Sequence, residues 1–457
     1  MKIIFLPNNN FFFILYFCLL IIQPGYIEGE NLDLDPMNPY LLDKDSNSIE
    51  SKLANWSLDE IEEYAVSNNP LYLAEKQNIG IARGEVITAS LYKNPMFSYQ
   101  SQFLPLGNNP TTGVPFFNQT TGGPVEHAPS ITQDVDIGGV ISQRKQVAQK
   151  GLEVSIYNFA DFDRLFRLRL RQNYWLYLYV TELVNFQNDF YENYSDLVQS
   201  TKFRAEKGDI SPLEYDRILL EKVKIEKDLR DAEILRAQVA KELRFLIGIS
   251  PQNKALVLKG KLQYFSTQEL GINLKDFQIE DRPDVRKLQA QIIQNKLTID
   301  LKKKEGSFGP FLNLGGEIRQ KGNETYAGIF ASFPLKVFDR NQGEILKAEE
   351  QYKKSKLELE SKIRQIYAEI RAAIKELQAR EELLSTYKKI KLIEKNKEIQ
   401  EKYRLAYTRG ATNLVTFLEA ERNYLIVLRS YYEQIYLYYN AIEIFRAAVG
   451  KLVKSYE

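Results

Sequence analysis

The sequence predicts a mainly α-helical chain carrying four short β-strands, arranged as two tandem copies of one strand-and-helical-hairpin unit. Three observations carry this prediction. One stretch of the chain aligns with another at a constant offset, two long stretches lack proline, and paired segments place apolar residues at every second position.

The offset is the firmest of the three. From Gly208 to Gly248 and from Gly410 to Gly450 the chain aligns without a gap at a spacing of 202 residues. Phe203 falls on Leu405, Tyr215 on Phe417, Leu235 on Leu437 and Leu243 on Phe445. Chance matching between two apolar helices does not supply two bounding glycines at equal spacing. Upstream, Asn69-Pro70 before a helical stretch that ends at Pro95 echoes Arg282-Pro283 before one that ends at Pro310. The expected layout is a first repeat over 57–248, an equatorial segment over 249–281, a second repeat over 282–450 and a tail over 451–457.

Residues 1–29 read as a secretory signal: Lys2, an apolar run from Phe11 to Ile22, then Gln23-Pro24-Gly25. The run of 12 residues is too short for a bilayer span, which takes about 20. Cys18 is the only cysteine and lies inside it. A lipidated N-terminus is conceivable there, although bulky Phe17 and the still-apolar Leu19-Leu20-Ile21-Ile22 argue against it. Removal of the signal would leave no thiol for a disulfide or a metal. Residues 30–56 are polar and acidic and read as a linker. No later stretch offers the ~18 consecutive apolar residues of a transmembrane helix, so a spanning role would have to use strands.

Composition excludes more than it assigns. The 61 Lys plus Arg nearly balance 60 Asp plus Glu in 457 residues, and a net charge of +1 gives no whole-chain argument for binding nucleic acid or an anionic surface. The 28 Tyr and 25 Phe against 2 Trp fit either rings at a membrane interface or a tyrosine-rich helical core.

The helices follow from the prolines. None occurs between Pro129 and Pro212 or after Pro334, and proline is the strongest helix breaker. Residues 142–206 and 340–406 can each run as one rod of ~65 residues, roughly 100 Å long. Ile363, Ile366, Ile370, Ile374 and Leu377 lay an apolar seam along the second rod. Lys207-Gly208-Asp209 and Arg409-Gly410-Ala411 turn the chain back, glycine being the residue that accepts a left-handed helix end. The returning helices, 212–247 and 413–449, are shorter than the rods. Helices over 71–92 and 284–305, stacked on them end to end, would make up the difference.

Four segments alternate. Phe97, Tyr99, Ser101 and Phe103 face away from Ser98, Gln100 and Gln102; Ile131, Gln133, Val135 and Ile137 face away from Thr132, Asp134 and Asp136. Leu312, Leu314 and Ile318 oppose Asn313, Glu317 and Arg319, and a mixed strand runs from Tyr326 to Leu335. Segments near ten residues with one apolar face suit strands between lipid and a watery lumen, lined by Asp134, Asp136, Glu317 and Arg319. A small soluble sheet capping a helical bundle would show the same pattern. The first pair is joined by a loop over about 104–130, the second by a tight turn near Lys321-Gly322-Asn323.

Catalytic chemistry is missing. His127 is the only histidine, falls in the long loop and reads as a solvated surface residue, so no zinc pair and no Ser-His-Asp or Cys-His arrangement is available. No phosphate-binding loop occurs, and Gly138-Gly139 and Gly315-Gly316 lack the spacing of a dinucleotide turn. Asp134 and Asp136 share a strand face and more simply line water than do acid–base work. No enzyme activity, cofactor or metal site is expected.

With this layout, the chain resembles the TolC-type outer membrane efflux protein family over about 57–450. The resemblance is carried by Leu58-Asp59-Glu60-Ile61 through Asn68-Asn69-Pro70, by Arg282-Pro283-Asp284-Val285, by Phe333-Pro334-Leu335, by both glycine turns and by Ala447-Ala448-Val449-Gly450. It implies a homotrimer whose three sets of four strands close one twelve-stranded barrel in the outer membrane of a diderm bacterium, continued by a periplasmic coiled-coil tunnel. It also implies a channel component of a tripartite efflux or type I secretion system, a passive conduit docked through a periplasmic adaptor onto an inner-membrane pump of resistance-nodulation or ABC type.

By the same resemblance the tips at Gly208 and Gly410 form the entrance where the adaptor binds. The two positions where the family carries acidic constriction rings hold Thr416 and Glu419, so only Glu419 supplies carboxylates. The family's closing network maps onto Tyr407 and Glu214, while its arginine position is Thr412 here, leaving Arg409 as the substitute. The competing reading is a periplasmic coiled-coil structural or adaptor protein. Cargo is open among drugs, metal ions and proteins.

Overall fold

The structure, a computed structural model, describes residues 49–102, 126–250, 255–274 and 279–450. The signal, most of the linker, Phe103, the body of the long loop and the tail lie outside the described residues.

The first half opens with α1 (Leu58–Asn68) and α2 (Pro70–Ser90). Ser57 and Glu60 form a reciprocal capping box that starts α1, an element the sequence reading had not separated. Strands β1 (Met96–Gln102) and β2 (Glu126–Asp136) follow, then α3 (Val140–Glu206), which is 67 residues long, and α4 (Pro212–Ile247). The second half repeats the order: α5 (Pro283–Gly306), β3 (Phe311–Lys321), β4 (Glu324–Ser332), α6 (Gln342–Ile390), α7 (Leu392–Thr408) and α8 (Leu414–Ala448).

Two expectations about these elements are corrected. The second rod is not continuous: Lys391 takes a left-handed conformation, φ 52° and ψ 53°, and separates α6 from α7. The long loop ends earlier than expected, because β2 begins at Glu126 and takes in His127 and Pro129. Pro129 has no N–H to give to a ladder, and the pairing of β2 with β3 steps over Ala128 and Pro129 before resuming at Ser130 opposite Glu317.

Hydrogen bonds recur at the 202-residue spacing. At the first turn Lys207 N donates to Phe203 O, Gly208 N to Ala205 O and Asp209 N to Arg204 O; at the second, Arg409 N donates to Leu405 O, Gly410 N to Tyr407 O and Ala411 N to Ala406 O. The helix-starting caps recur as well, Ser211 for α4 and Asn413 for α8.

The end-to-end joints between short helices are built from equivalent positions. Asn69 Nδ2 donates to Phe245 O and Leu246 O at 2.8 and 3.0 Å, while its Oδ1 accepts from Tyr72 N. One side chain thus caps the end of α4 and the start of α2. A Cβ at Gly248 would stand 2.9 Å from the Asn69 Cα, so the joint admits only glycine there. In the second half Arg282 donates to Ala448 O and Arg164 to Ala447 O, closing the end of α8 against the start of α5.

Aromatic rings hold the two halves together along α3 and α8. Trp175 stacks on Tyr439 at 3.8 Å, Tyr179 on Tyr436 at 5.5 Å, Phe186 on Tyr432 at 6.1 Å and Phe190 packs on Tyr424 at 5.8 Å. Tyr177 and Tyr439 donate their hydroxyls to Leu256 O and Gln263 O, fastening the inter-repeat segment to the bundle. Of the two explanations left open for the tyrosine content, the helical core accounts for these residues. The seam of the second rod is buried as expected at Ile366, Ile370 and Leu377.

Candidate functional site: an amphipathic sheet and a helical entrance

The four strands form one antiparallel sheet in the order β1-β2-β3-β4, so the two expected pairs are joined through β2 and β3. The register sorts the side chains. Asp134 lies opposite Asn313, Ser130 opposite Glu317 and Glu126 opposite Lys321, which puts Ser98, Gln100, Glu126, Asp134, Asp136, Asn313, Glu317, Arg319 and Lys321 on one face. Phe97, Tyr99, Ile131, Val135, Leu312, Leu314, Ile318 and Ile329 share the other.

Much of the apolar face is exposed. Ile329 is 94 % exposed, and Phe97, Tyr99, Ile131, Leu314 and Ile318 are exposed as well. Among the described residues the strands pack on one another and no helix packs across them. A soluble sheet capping a bundle would cover this face, since contiguous exposed apolar surface is costly in water. Exposed rings and aliphatic groups continue where sheet meets helices, at Leu91, Tyr92, Phe308, Phe333 and Phe338.

The polar face is interlocked. Arg319 pairs with Glu317 at 3.1 Å and Lys321 with Glu126 at 3.1 Å. Asp134 pairs with Lys93 at 3.0 Å and accepts from Asn313 Nδ2 at 2.8 Å. Asp136 has a further duty that its sequence position did not reveal: its carboxylate accepts from Val140 N and Ile141 N and so caps α3. Phe330 is an apolar residue on this side, as the register also makes Met96 and Phe311; its ring lies across Gly315, a cross-strand ring covering a glycine.

His127 is not a solvated loop residue. It is 2 % exposed, lies in β2 on the same face as Ile131, and shares a hydrogen bond of 2.6 Å with the Tyr99 hydroxyl across the β1–β2 pair.

At the other end are the two helical turns. Gly208 and Gly410 have φ of 80° and 72°, with nothing within 4 Å of the position a Cβ would take. Exposed apolar residues flank each tip at equivalent positions, Phe203 and Leu213 in the first hairpin, Leu405 and Val415 in the second. Thr416 gives its N–H and hydroxyl to Asn413 Oδ1, the cap of α8, and Glu419 lies exposed one turn on. Arg409 is exposed at the end of α7.

Tyr407 is buried, its ring stacked on Phe417 at 4.8 Å. Its hydroxyl has no hydrogen-bond partner among the described residues. The hydrogen bond to Glu214 that the resemblance implied is therefore not made, although Glu214 is near enough to add to the upward push that burial gives the phenol pKa.

A polar cluster that sequence reasoning missed lies two helical turns above the tips. Arg422 of α8 grips Glu221 of α4 with both nitrogens of its fork, Nε at 2.9 Å and Nη2 at 2.6 Å. The hydrogen bond from Arg422 holds the Glu221 carboxyl below its ordinary pKa. Beside it, Glu421 is 4 % exposed and accepts from Gln400 Nε2 of α7 at 2.7 Å; burial pushes its pKa up. The available signal was opposite charges 13 and 12 residues past the two turn glycines.

No group of metal-ligating side chains occurs among the described residues, and no described helix is long and apolar enough to cross a membrane.

A sheet with one exposed apolar face and one ion-paired polar face is thus continued by long helical hairpins. Residues 278–451 match the model of the outer membrane efflux protein family. Over 215 residues, 47 % of this chain, the sequence is 22 % identical to the cobalt-zinc-cadmium resistance protein CzcC of Cupriavidus metallidurans. The match spans 51 %, about half, of that relative's length.

Among solved structures, the outer-membrane channel OprN superposes with a TM-score of 0.71 at 14 % identity, over 88 % of this chain and 92 % of that one. The CmeC outer membrane channel of Campylobacter jejuni gives 0.68 at 17 % identity, over 88 % and 87 %. The open state of the MtrE channel of Neisseria gonorrhoeae gives 0.65 at 16 %, over 88 % and 90 %. The fold is that of these channels, a mainly helical chain with a small antiparallel sheet.

Proposed function

We propose that the chain is the outer-membrane subunit of an efflux or type I secretion assembly, a passive conduit from periplasm to exterior. Three copies would close a twelve-stranded barrel, continued into the periplasm by hairpins from two tandem repeats, 57–248 and 282–450. The observation that carries this reading is the sheet with an exposed apolar face, an ion-paired polar face and two edge strands, β1 and β4, each paired on one side only within the chain. Such edges seek partner strands, and four strands are too few to close a barrel.

The exposed rings at Tyr92, Phe308 and Phe333 would sit at the interfacial girdle of such a barrel. Asp134, Asp136, Glu317 and Arg319 would line its lumen. The tips at Gly208 and Gly410, with Phe203, Leu213, Leu405 and Val415 presented beside them, would dock a periplasmic adaptor that couples the conduit to an inner-membrane pump. The similarity to a protein named for cobalt, zinc and cadmium resistance includes divalent metal ions among the candidate cargoes.

Membrane fractionation tests the reading: the protein is expected in the outer-membrane fraction as detergent-extracted, heat-resistant trimers. Recovery as a water-soluble monomer would overturn it. At the entrance, Glu419 would form a ring of three carboxylates. Glu419→Ala is expected to lower cation selectivity, read as a smaller reversal potential in a salt gradient, and an unchanged reversal potential would reject the ring.

A further inference from the structure

We propose that Glu443 is a buried proton site where α1, α3 and α8 meet, and that this joint, far along the helices from the tips, tightens when the proton binds. Three carboxylates and two guanidinium groups are enclosed there. Glu62 of α1, Asp163 of α3 and Glu443 of α8 are 6 %, 0 % and 1 % exposed, and Arg167 and Arg171 of α3 are buried among them. Both arginines are committed to other acids. Arg167 gives Nε to Asp163 at 2.8 Å and Nη1 to Glu62, while Arg171 gives Nε to Glu62 at 2.5 Å and Nη2 to the exposed Asp59 at 2.6 Å. Glu443 is the acid left over, with Arg171 Nη1 standing 3.9 Å away, too far for a hydrogen bond.

The direct partner of Glu443 is Arg446, one turn on along α8, which donates from Nη1 to Oε1 at 3.1 Å and is itself a third exposed. Oε2 has no hydrogen-bond partner among the described residues, and the Trp175 indole N–H, its ring stacked on Tyr439, comes close without completing a bond. α6 also packs on α8 and brings no cation within 4 Å of the carboxylate among the described residues. An ionised Glu443 is thus a buried charge short of partners, which is costly. One proton balances the enclosed charges, two remaining carboxylates against two arginines. Burial pushes the Glu443 pKa up; Arg446, Arg171 and Trp175 oppose the push and Glu62 adds to it. Glu62 and Arg171 also line an open cavity of about 590 Å³, which gives water a way to the cluster.

A carboxyl whose folded pKa lies above its ordinary 4.5 holds its proton more tightly in the folded chain than in the unfolded one. The stability it contributes is fully present below pH 4.5 and is lost as pH rises through the folded value, the reverse of Glu221. The test is the thermal midpoint of the purified full chain in detergent, wild type against Glu443→Gln, from pH 4.5 to about pH 8. Glutamine keeps the shape of the protonated acid and does not titrate. The variant is expected to melt roughly 2 °C above wild type at the alkaline end and together with it at the acid end. A variant that melts below wild type at the alkaline end, or an offset, zero included, that is the same at every pH, would overturn the proposal. Should the glutamine variant not assemble, Arg446→Gln removes the one bonded cation, and the fall in midpoint with rising pH is expected to begin at higher pH than in wild type. An unmoved profile in that variant rejects the proton site.

Discussion

Gly208 and Gly410 decide where the chain reverses, and the cost of replacing them is purely a matter of backbone. Their left-handed φ disfavours any side chain, while the space around each is open. Gly208→Ala and Gly410→Ala are each expected to cost ~1 kcal/mol, read as a lower thermal midpoint. Gly84→Ala, inside α2 with equally open space, is expected to stabilise by roughly 0.5–1 kcal/mol. Equal effects at all three positions would reject the turn geometry. The turn glycines were legible because their spacing repeats. Arg422 and Glu221 were not, because they stand one residue off the repeat and only packing brings α4 to α8. His127 was misplaced because Pro129 and the small polar residues around it look like loop.

Among elements, the break at Lys391 is where sequence and structure part. Residues Tyr387 to Lys395 contain neither glycine nor proline, so nothing in the local composition marks the end of α6. A β-branched residue resists left-handed φ, so Lys391→Val is expected to lower the thermal midpoint while Lys391→Gly does not. Equal midpoints would argue for a continuous rod.

The α4–α8 contact also has a pH signature. Glu221 faces Arg422 and Lys224, with Tyr194 of α3 close by. Its folded pKa lies below the ordinary 4.5. The pair's contribution is therefore fully present above pH 4.5 and is lost only as pH falls through the lowered folded value. Stability profiles of wild type and Glu221→Gln are expected to differ near neutrality and to converge in acid below that point. A difference that persists there would mean that the charge is not what matters.

For the molecule as a whole, the 202-residue offset and the strand periods were legible in the sequence, but not which strand neighbours which. The pairing of β2 with β3, which joins the halves into one sheet, depends on contacts more than 170 residues apart, and period alone does not encode them. The same period fitted a soluble cap. Burial favours the barrel reading, because much of the apolar face is exposed while the polar face carries ion pairs. The central claim is that the apolar face meets lipid and the ion-paired face meets water. It is tested most directly by an environment-sensitive fluorophore on a single cysteine, at Ile329→Cys or at Glu317→Cys in a Cys18→Ser background, with the trimer in vesicles containing a lipid-chain quencher. The account predicts strong quenching of the probe at 329 and little at 317; equal quenching at both sites, or the reverse order, would contradict it.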